Sequence, residues 1–113
     1  MIKSVFILLI FNSFLLSLET TGLFSEANEF YLKKDYKKSA ELYEHLIANG
    51  YVDGQIFYNL GNAYYRLNKI GQAVWAYRNA IKFSPRDNDI THNLKIAEAQ
   101  RTDRIVSPPL FIL

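Results

Sequence analysis

The sequence predicts an all-α protein: a short solenoid of helix-turn-helix units, about two of them plus a capping helix, behind an N-terminal hydrophobic signal helix. Three observations carry this. Residues 57–85 place apolar, small and proline positions at the spacing of a two-helix unit, and a looser copy lies upstream at a 34-residue offset. Residues 1–22 are apolar behind a lone Lys3.

The leading segment divides the chain at residue 22. Residues 5–18 form a 14-residue apolar run broken only by Asn12, Ser13 and Ser17. That is short for a membrane span and has the charge and length of a secretory signal. Small residues around Ser17 and at Thr20-Thr21-Gly22 offer cleavage sites, neither of them a clean A-x-A. An uncleaved signal-anchor is the second reading, and a buried N-terminal helix of the fold the third. The localisation expected is export, to a periplasm or the periplasmic face of the inner membrane.

Residues 23–103 form the repeat domain, with units at about 20–53 and 54–87 and a capping helix over 88–102. The first helix should begin at Leu23 or Ser25, with Ser25 as its N-cap, and run to Lys33. Asp35 opens the next helix, which reaches Ala48 and ends on the left-handed chemistry of Asn49-Gly50. A third helix starts near Asp53 or Gly54, carries Phe57, Leu60, Gly61 and Tyr64 inward, and ends near Leu67-Asn68. The fourth runs from Ile70 to Phe83, and Pro85 stops it. Asp87 caps the last helix, whose outer side is polar through Lys95, Glu98 and Arg101. After Asp103, Ile105-Val106-Ser107-Pro108-Pro109 should not continue a helix, and residues 104–113 form a Pro-containing apolar tail.

The unit reads Phe57-x-x-Leu60-Gly61-x-x-Tyr64, then Ala73-x-x-x-Tyr77, Ala80 and Pro85. Gly61 and Ala73 belong where two antiparallel helices approach most closely. Sliding the chain by one repeat length sets Asn28 on Asn62, Tyr31 on Tyr65, Tyr43 on Tyr77 and Ile47 on Ile81, while Ser39 takes the place of Ala73. Asn93-Leu94 repeats Asn59-Leu60 at the same offset. This resembles the tetratricopeptide repeat (TPR), with Phe57 for Trp and Tyr77 for Phe.

A narrower resemblance rests on the order of segments: signal, two close repeats, a lone helix, then Asp103-Arg104-Ile105 leading to Pro108-Pro109. Over residues 24–110 this is similar to the BatE-like TPR protein of the bacterial aerotolerance (Bat) operon. The resemblance implies a membrane-associated envelope complex linked to oxidative-stress tolerance, with other Bat proteins as partners. Many members continue into membrane spans beyond the Pro-Pro segment, so a truncated membrane-anchored copy is one alternative. Another is a structural or oligomerising element whose apolar residues 110–113 pack on a neighbouring chain.

Composition narrows the functional classes. The 113 residues carry a net charge of +2 and no cysteine. No dense Lys/Arg stripe argues for nucleic acid. Lys33, Lys34, Lys37 and Lys38 read as a solvated turn. His45 and His92 have no metal-ligand spacing, Glu41 and Glu44 read as solvated, and no phosphate loop is present. No enzyme activity and no cofactor are expected.

The TPR resemblance implies that the leading helices line a concave groove. Asn28 and Asn62 then occupy one groove position and Asn59 and Asn93 another. Amides that donate and accept suit the backbone of an extended peptide. Phe24, Tyr31, Tyr58, Tyr65 and His92 fall beside this ladder and Arg66 at its rim. Asn28 and Asn59 match two amides of the carboxylate clamp found in chaperone-binding TPR domains. Phe24, Asp89 and Asn93 stand where that clamp is basic. Two readings of the Asn residues stay open: bonds between helices, or peptide recognition. On the second, Asn59→Ala or Asn62→Ala weakens binding and leaves stability within roughly 1 kcal/mol. Trp75 is expected in the core, with a convex contact surface as its alternative.

Overall fold

In the computed structural model, which describes the backbone of residues 2–106 and side chains as far as residue 103, the chain is all-helical. Five helices follow in order: α1 (Ile2–Leu32), α2 (Tyr36–Ala48), α3 (Gly54–Arg66), α4 (Ile70–Phe83) and α5 (Asn88–Val106). Each packs on the next in sequence, and α1 also touches α3. Among the described residues there is no strand.

One boundary differs from the sequence expectation. The apolar segment and the first repeat helix are a single helix, and Ser25 caps nothing. The hydroxyls that could have capped a new helix are used within this one. Ser13, Thr20 and Thr21 donate to the carbonyls of Leu9, Leu16 and Ser17 at 2.9, 2.7 and 2.9 Å, closing on their own helix instead of opening a new one. Gly22 is the sole breaker there and no proline follows it. At the other end α5 continues through Ile105 and Val106. The next proline, Pro108, stands two residues further on, so Ile105 and Val106 keep their own N–H donors and are not themselves followed by a proline. Residues 107–113, including Pro108-Pro109 and the apolar tail, lie outside the described residues.

The turns repeat as the sequence does. Lys34 and Asn68, at equivalent places in the two units, take left-handed backbone at φ 65° and 63°. Each closes its helix with the same pair of bonds: Lys34 N–H to the Tyr31 carbonyl and Asp35 N–H to Phe30, at 3.0 and 2.9 Å. In the second unit Asn68 N–H meets Tyr65 and Lys69 N–H meets Tyr64 at the same distances. This is a Schellman ending. Gly50, at φ 86°, ends α2 in the same way with Gly50 N–H to Ile47 and Tyr51 N–H to Leu46. Asp35, Asp53 and Asp87 then cap α2, α3 and α5, accepting from Lys38 N–H at 3.3 Å, Ile56 N–H at 2.8 Å, and Asp89 and Ile90 N–H at 2.9 and 3.2 Å.

Small residues set the helix spacing. Ala27, Ala63, Ala73, Ala76, Ala80 and Ala97 are fully buried, with Tyr43, Leu46, Leu60, Tyr77 and Ile90 filling the volume around them. A Cβ on Gly61 would stand 2.6 Å from two ring carbons of Tyr77, so that glycine is required by the neighbouring helix. Ser39, the first-unit counterpart of Ala73, is buried and donates to the Ala27 carbonyl at 2.9 Å. Its hydroxyl is thereby satisfied at a position that otherwise takes a methyl.

Trp75 is not in the core. It is half exposed and sets its ring edge against Phe57 at 5.8 Å, while Phe83, also half exposed, stacks on the same Phe57 at 5.8 Å. The spacing of Trp75 from Ala73 turns its side chain off the α3–α4 seam, so only one edge finds cover. Glu98 stays on the exposed polar side, where Arg78 of α4 donates to it through Nε and Nη2 at 3.2 and 2.9 Å.

Candidate functional site

The odd-numbered helices share one face, and their polar side chains meet across it. Asn28 on α1 and Asn62 on α3 stand at the same place in successive units. The Oδ1 of Asn28 accepts from the Tyr43 hydroxyl and from Asn59 Nδ2, the latter at 3.1 Å. The Oδ1 of Asn62 accepts from the Tyr77 hydroxyl at 2.6 Å and from Asn93 Nδ2 at 3.2 Å. Each carboxamide oxygen therefore ties three consecutive helices together, and the second network is the first moved on by one repeat.

The ladder is thus a structural link first. Asn59 and Asn93 spend donors on it; Asn59 Oδ1 also accepts from Gln55 at 2.8 Å, and Asn93 donates to the Tyr58 hydroxyl at 3.1 Å. With both lone-pair directions of Asn28 and Asn62 taken, the capacity these two amides hold for a ligand is their Nδ2 hydrogens. The expectation that Asn62→Ala leaves stability nearly unchanged does not fit this geometry, because the alanine would strip an acceptor from Tyr77, whose side chain is 2% exposed.

Two cavities open beside the ladder. One of about 260 Å³ is lined by Tyr31, Asn62, Tyr65, Arg66, Tyr77, Asn93 and Ile96. The other, of about 200 Å³, is lined by Asn28, Tyr31, Leu32, Tyr43, Asn59 and Asn62. Tyr31 and Asn62 belong to both, so the cavities adjoin along the face. All the groove residues selected from sequence line them except Tyr58 and His92. Tyr58 is half-buried beneath the face, tilted against Tyr77 at 6.0 Å. His92 stands exposed on α5 outside both cavities. Phe24 packs away from the ladder, its ring 6.1 Å from Tyr43.

Arg66 is the single charged side chain in the two linings. Its guanidinium lies over the Tyr36 ring at 4.9 Å, and Tyr36 meets Tyr31 edge-on at 5.1 Å. The cation is held at the rim by an aromatic pair while it keeps its exposure. Burial pushes the Tyr77, Tyr43 and Tyr31 hydroxyls above their ordinary pKa, and Arg66 partly offsets the rise at Tyr31. These phenols stay protonated donors across the physiological range.

The sequence reading did not select Leu32, the Tyr43 and Tyr77 hydroxyls, Ile96, or Gln100, which donates to the Tyr65 hydroxyl at 2.6 Å. Their signal was present as register. Tyr43 and Tyr77 each follow their Asn at the same separation, and Ile96 and Gln100 lie one repeat length after Asn62 and Arg66. A scan of the chain against family models finds no match, and a search of curated proteins likewise returns none.

Proposed function

We propose that the chain is a TPR-type interaction scaffold of the bacterial envelope, without activity of its own, whose odd-helix groove holds an extended segment of a partner protein. The observation that carries this is the pair of adjoining cavities along α1, α3 and α5, lined by aromatic rings, amides and one rim cation. Aromatic pockets of this kind give peptide interfaces most of their binding energy, and amide hydrogens suit backbone carbonyls. The linings hold no carboxylate or imidazole to act as acid or base. The periodic recurrence of bonds, turns and caps supports the TPR reading, and the N-terminal apolar helix supports export or membrane attachment. Within that reading, the resemblance to the BatE-like family implies partners of the Bat type in a complex linked to oxidative-stress tolerance.

A photo-crosslinking residue at Tyr65 tests it in cells. A discrete protein adduct is expected there, and none from the same residue at Gln72 on the exposed side of α4. Recovery of an envelope protein carrying a von Willebrand A-type domain would support the Bat assignment. Equal adducts from both positions, or none from Tyr65, would refute groove binding.

A further inference from the structure

The first half of α1 is exposed along its whole length, with Tyr51 lying near it, beside Ser13, Leu16 and Ser17. An 18-residue window of this helix is apolar enough to cross a membrane, and none of it is buried. Ile2, Phe6, Leu8, Phe11 and Phe14 are all about 60% exposed or more, on every side of the helix. Residues 2–18 rise about 26 Å at 1.5 Å per residue, close to the roughly 30 Å hydrocarbon thickness of a bilayer. Glu19 closes the stretch at the domain side, and its one charged residue, Lys3, stands at the other end. Such a surface is unstable in water.

The helix runs unbroken from this stretch into the domain, and α2 folds back along it. Leu16, Glu19, Thr20 and Leu23 of α1 line a cavity with Leu46, Asn49 and Tyr51 at the far end of α2. Thr20, Thr21 and Phe24 line another with Gly50, Val52 and Asp53. The turn after α4 reaches the same end: a Cβ on Gly54 would lie 2.5 Å from Ser84 Oγ and 3.4 Å from Phe83 Cβ. Two turns, residues 49–53 and 83–87, therefore form the end of the bundle from which the apolar rod emerges. Val52 and Phe83 are 45% and 50% exposed there, with Lys82 and Arg86 exposed alongside.

We propose that residues 2–18 remain attached and cross the bilayer, and that the turns at 49–53 and 83–87 rest in its headgroup layer. Val52 and Phe83 supply apolar contact, and Lys82 and Arg86 meet lipid phosphates, the division of labour that amphipathic side chains adopt at membrane interfaces. The repeat helices then stand on end, and the groove runs along the membrane surface. This orientation goes beyond the binding role and holds whatever the groove carries.

Trp75 is the only tryptophan in the chain. It precedes Phe83 by about two helical turns, and so lies about 12 Å further along α4 from the membrane-facing end. The full chain, reconstituted in phosphatidylcholine–phosphatidylglycerol vesicles with brominated acyl chains, separates the heights. Weak quenching is expected for Trp75, several-fold stronger quenching for Trp75→Phe/Phe83→Trp with bromines placed near the headgroups, and strong quenching for Trp75→Phe/Phe11→Trp with bromines placed deep. Trp75→Phe/Val52→Trp repeats the measurement from the other turn and replaces the Phe83 variant should that one misfold. The proposal is overturned if Phe11→Trp is quenched while both turn variants match Trp75, or if Phe11→Trp is not quenched. A membrane-fraction mass showing that the segment 1–22 has been removed overturns it as well.

Discussion

Asn62→Ala should destabilise the domain through Tyr77, and the size of the effect follows from the geometry. The Tyr77 hydroxyl donates to Asn62 Oδ1 at 2.6 Å from a side chain that is 2% exposed. Removing the acceptor strands a buried donor, which costs about 1–3 kcal/mol. Asn93 loses one acceptor but keeps the Tyr58 hydroxyl at 3.1 Å, so its share is small. Tyr77→Phe removes the donor and leaves Asn62 still bonded to Asn93, a loss of about 0.5–1.5 kcal/mol. In the double variant no donor is stranded, so the two costs should fall short of additivity by about 1 kcal/mol.

Urea unfolding of the detergent-solubilised full chain, followed by Trp75 fluorescence, reads these differences as midpoint shifts at constant slope. The thermal midpoint should fall by about 4–8 °C per kcal/mol for a domain of this size. Asn28→Ala with Tyr43→Phe should reproduce the coupling, because the first unit repeats the same bonds. Additivity within about 0.3 kcal/mol in both cycles would sink the reasoning, since distant and independent sites behave that way.

Other consequences follow at separate sites. Gly61→Ala forces a methyl against the Tyr77 ring at 2.6 Å and should cost about 1–3 kcal/mol by overpacking, read by the same unfolding curves. Lys34→Gly relieves a left-handed residue at φ 65° and should gain up to about 1 kcal/mol, whereas Gly50→Ala at φ 86° should lose about as much. Burial raises the pKa of Tyr64, and the Glu44 carboxylate that its hydroxyl bonds at 2.6 Å raises it further; Tyr77 is raised chiefly by burial. The folded state thus holds these protons more tightly than the unfolded chain. Stability is full below about pH 10 and falls as the pH rises beyond it, and Tyr64→Phe should flatten that decline in an alkaline titration. Arg66→Ala, at an exposed rim position, should reduce the Tyr65 crosslink while shifting the unfolding midpoint by less than about 0.5 kcal/mol.

The helices were legible because their ends carry local chemistry: Asp35, Asp53 and Asp87 before them and Gly50 or Asn68 after. The span of α4 from Ile70 to Phe83 is the one its sequence indicates. The break expected before α1's packed half was not there, because Ser and Thr hydroxyls can cap a new helix or close on an old one, and local sequence does not choose between them. The groove was legible as a set of positions but not as a set of bonds. Asn28 and Asn62, and likewise Asn59 and Asn93, recur at one repeat length, which places them on one face; which lone pairs are already occupied depends on tyrosines arriving from the intervening helix. Trp75 failed for a related reason. Its place on α4 is readable, but whether a neighbour covers it depends on what packs against the outer side of α4.

The two ends of α1 do different work within one unbroken helix. Through residue 18 its large apolar side chains are exposed, and from Leu23 onward the helix packs: Leu23 and Phe24 lie against the core, Ala27 is fully buried, and Asn28 ties α1 to α2 and α3. Since no buried residue of α1 lies before Ala27, loss of the segment 1–22 would leave the core contacts standing. Under the proposed membrane attachment, attachment and folding are therefore separable, while attachment and orientation are not. The helix runs through Thr20 and Thr21 without a break, so, were it fixed in a bilayer, it would fix the direction of every helix packed on it. Two prolines replacing Thr20 and Thr21 would test this division directly. The prolines remove two helical donors and crowd the carbonyls of Leu16 and Ser17, a cost of about 3 kcal/mol or more that falls on α1 ahead of its buried residues, and quenching of a Phe83→Trp variant by shallow bromines should fall as the domain swings free.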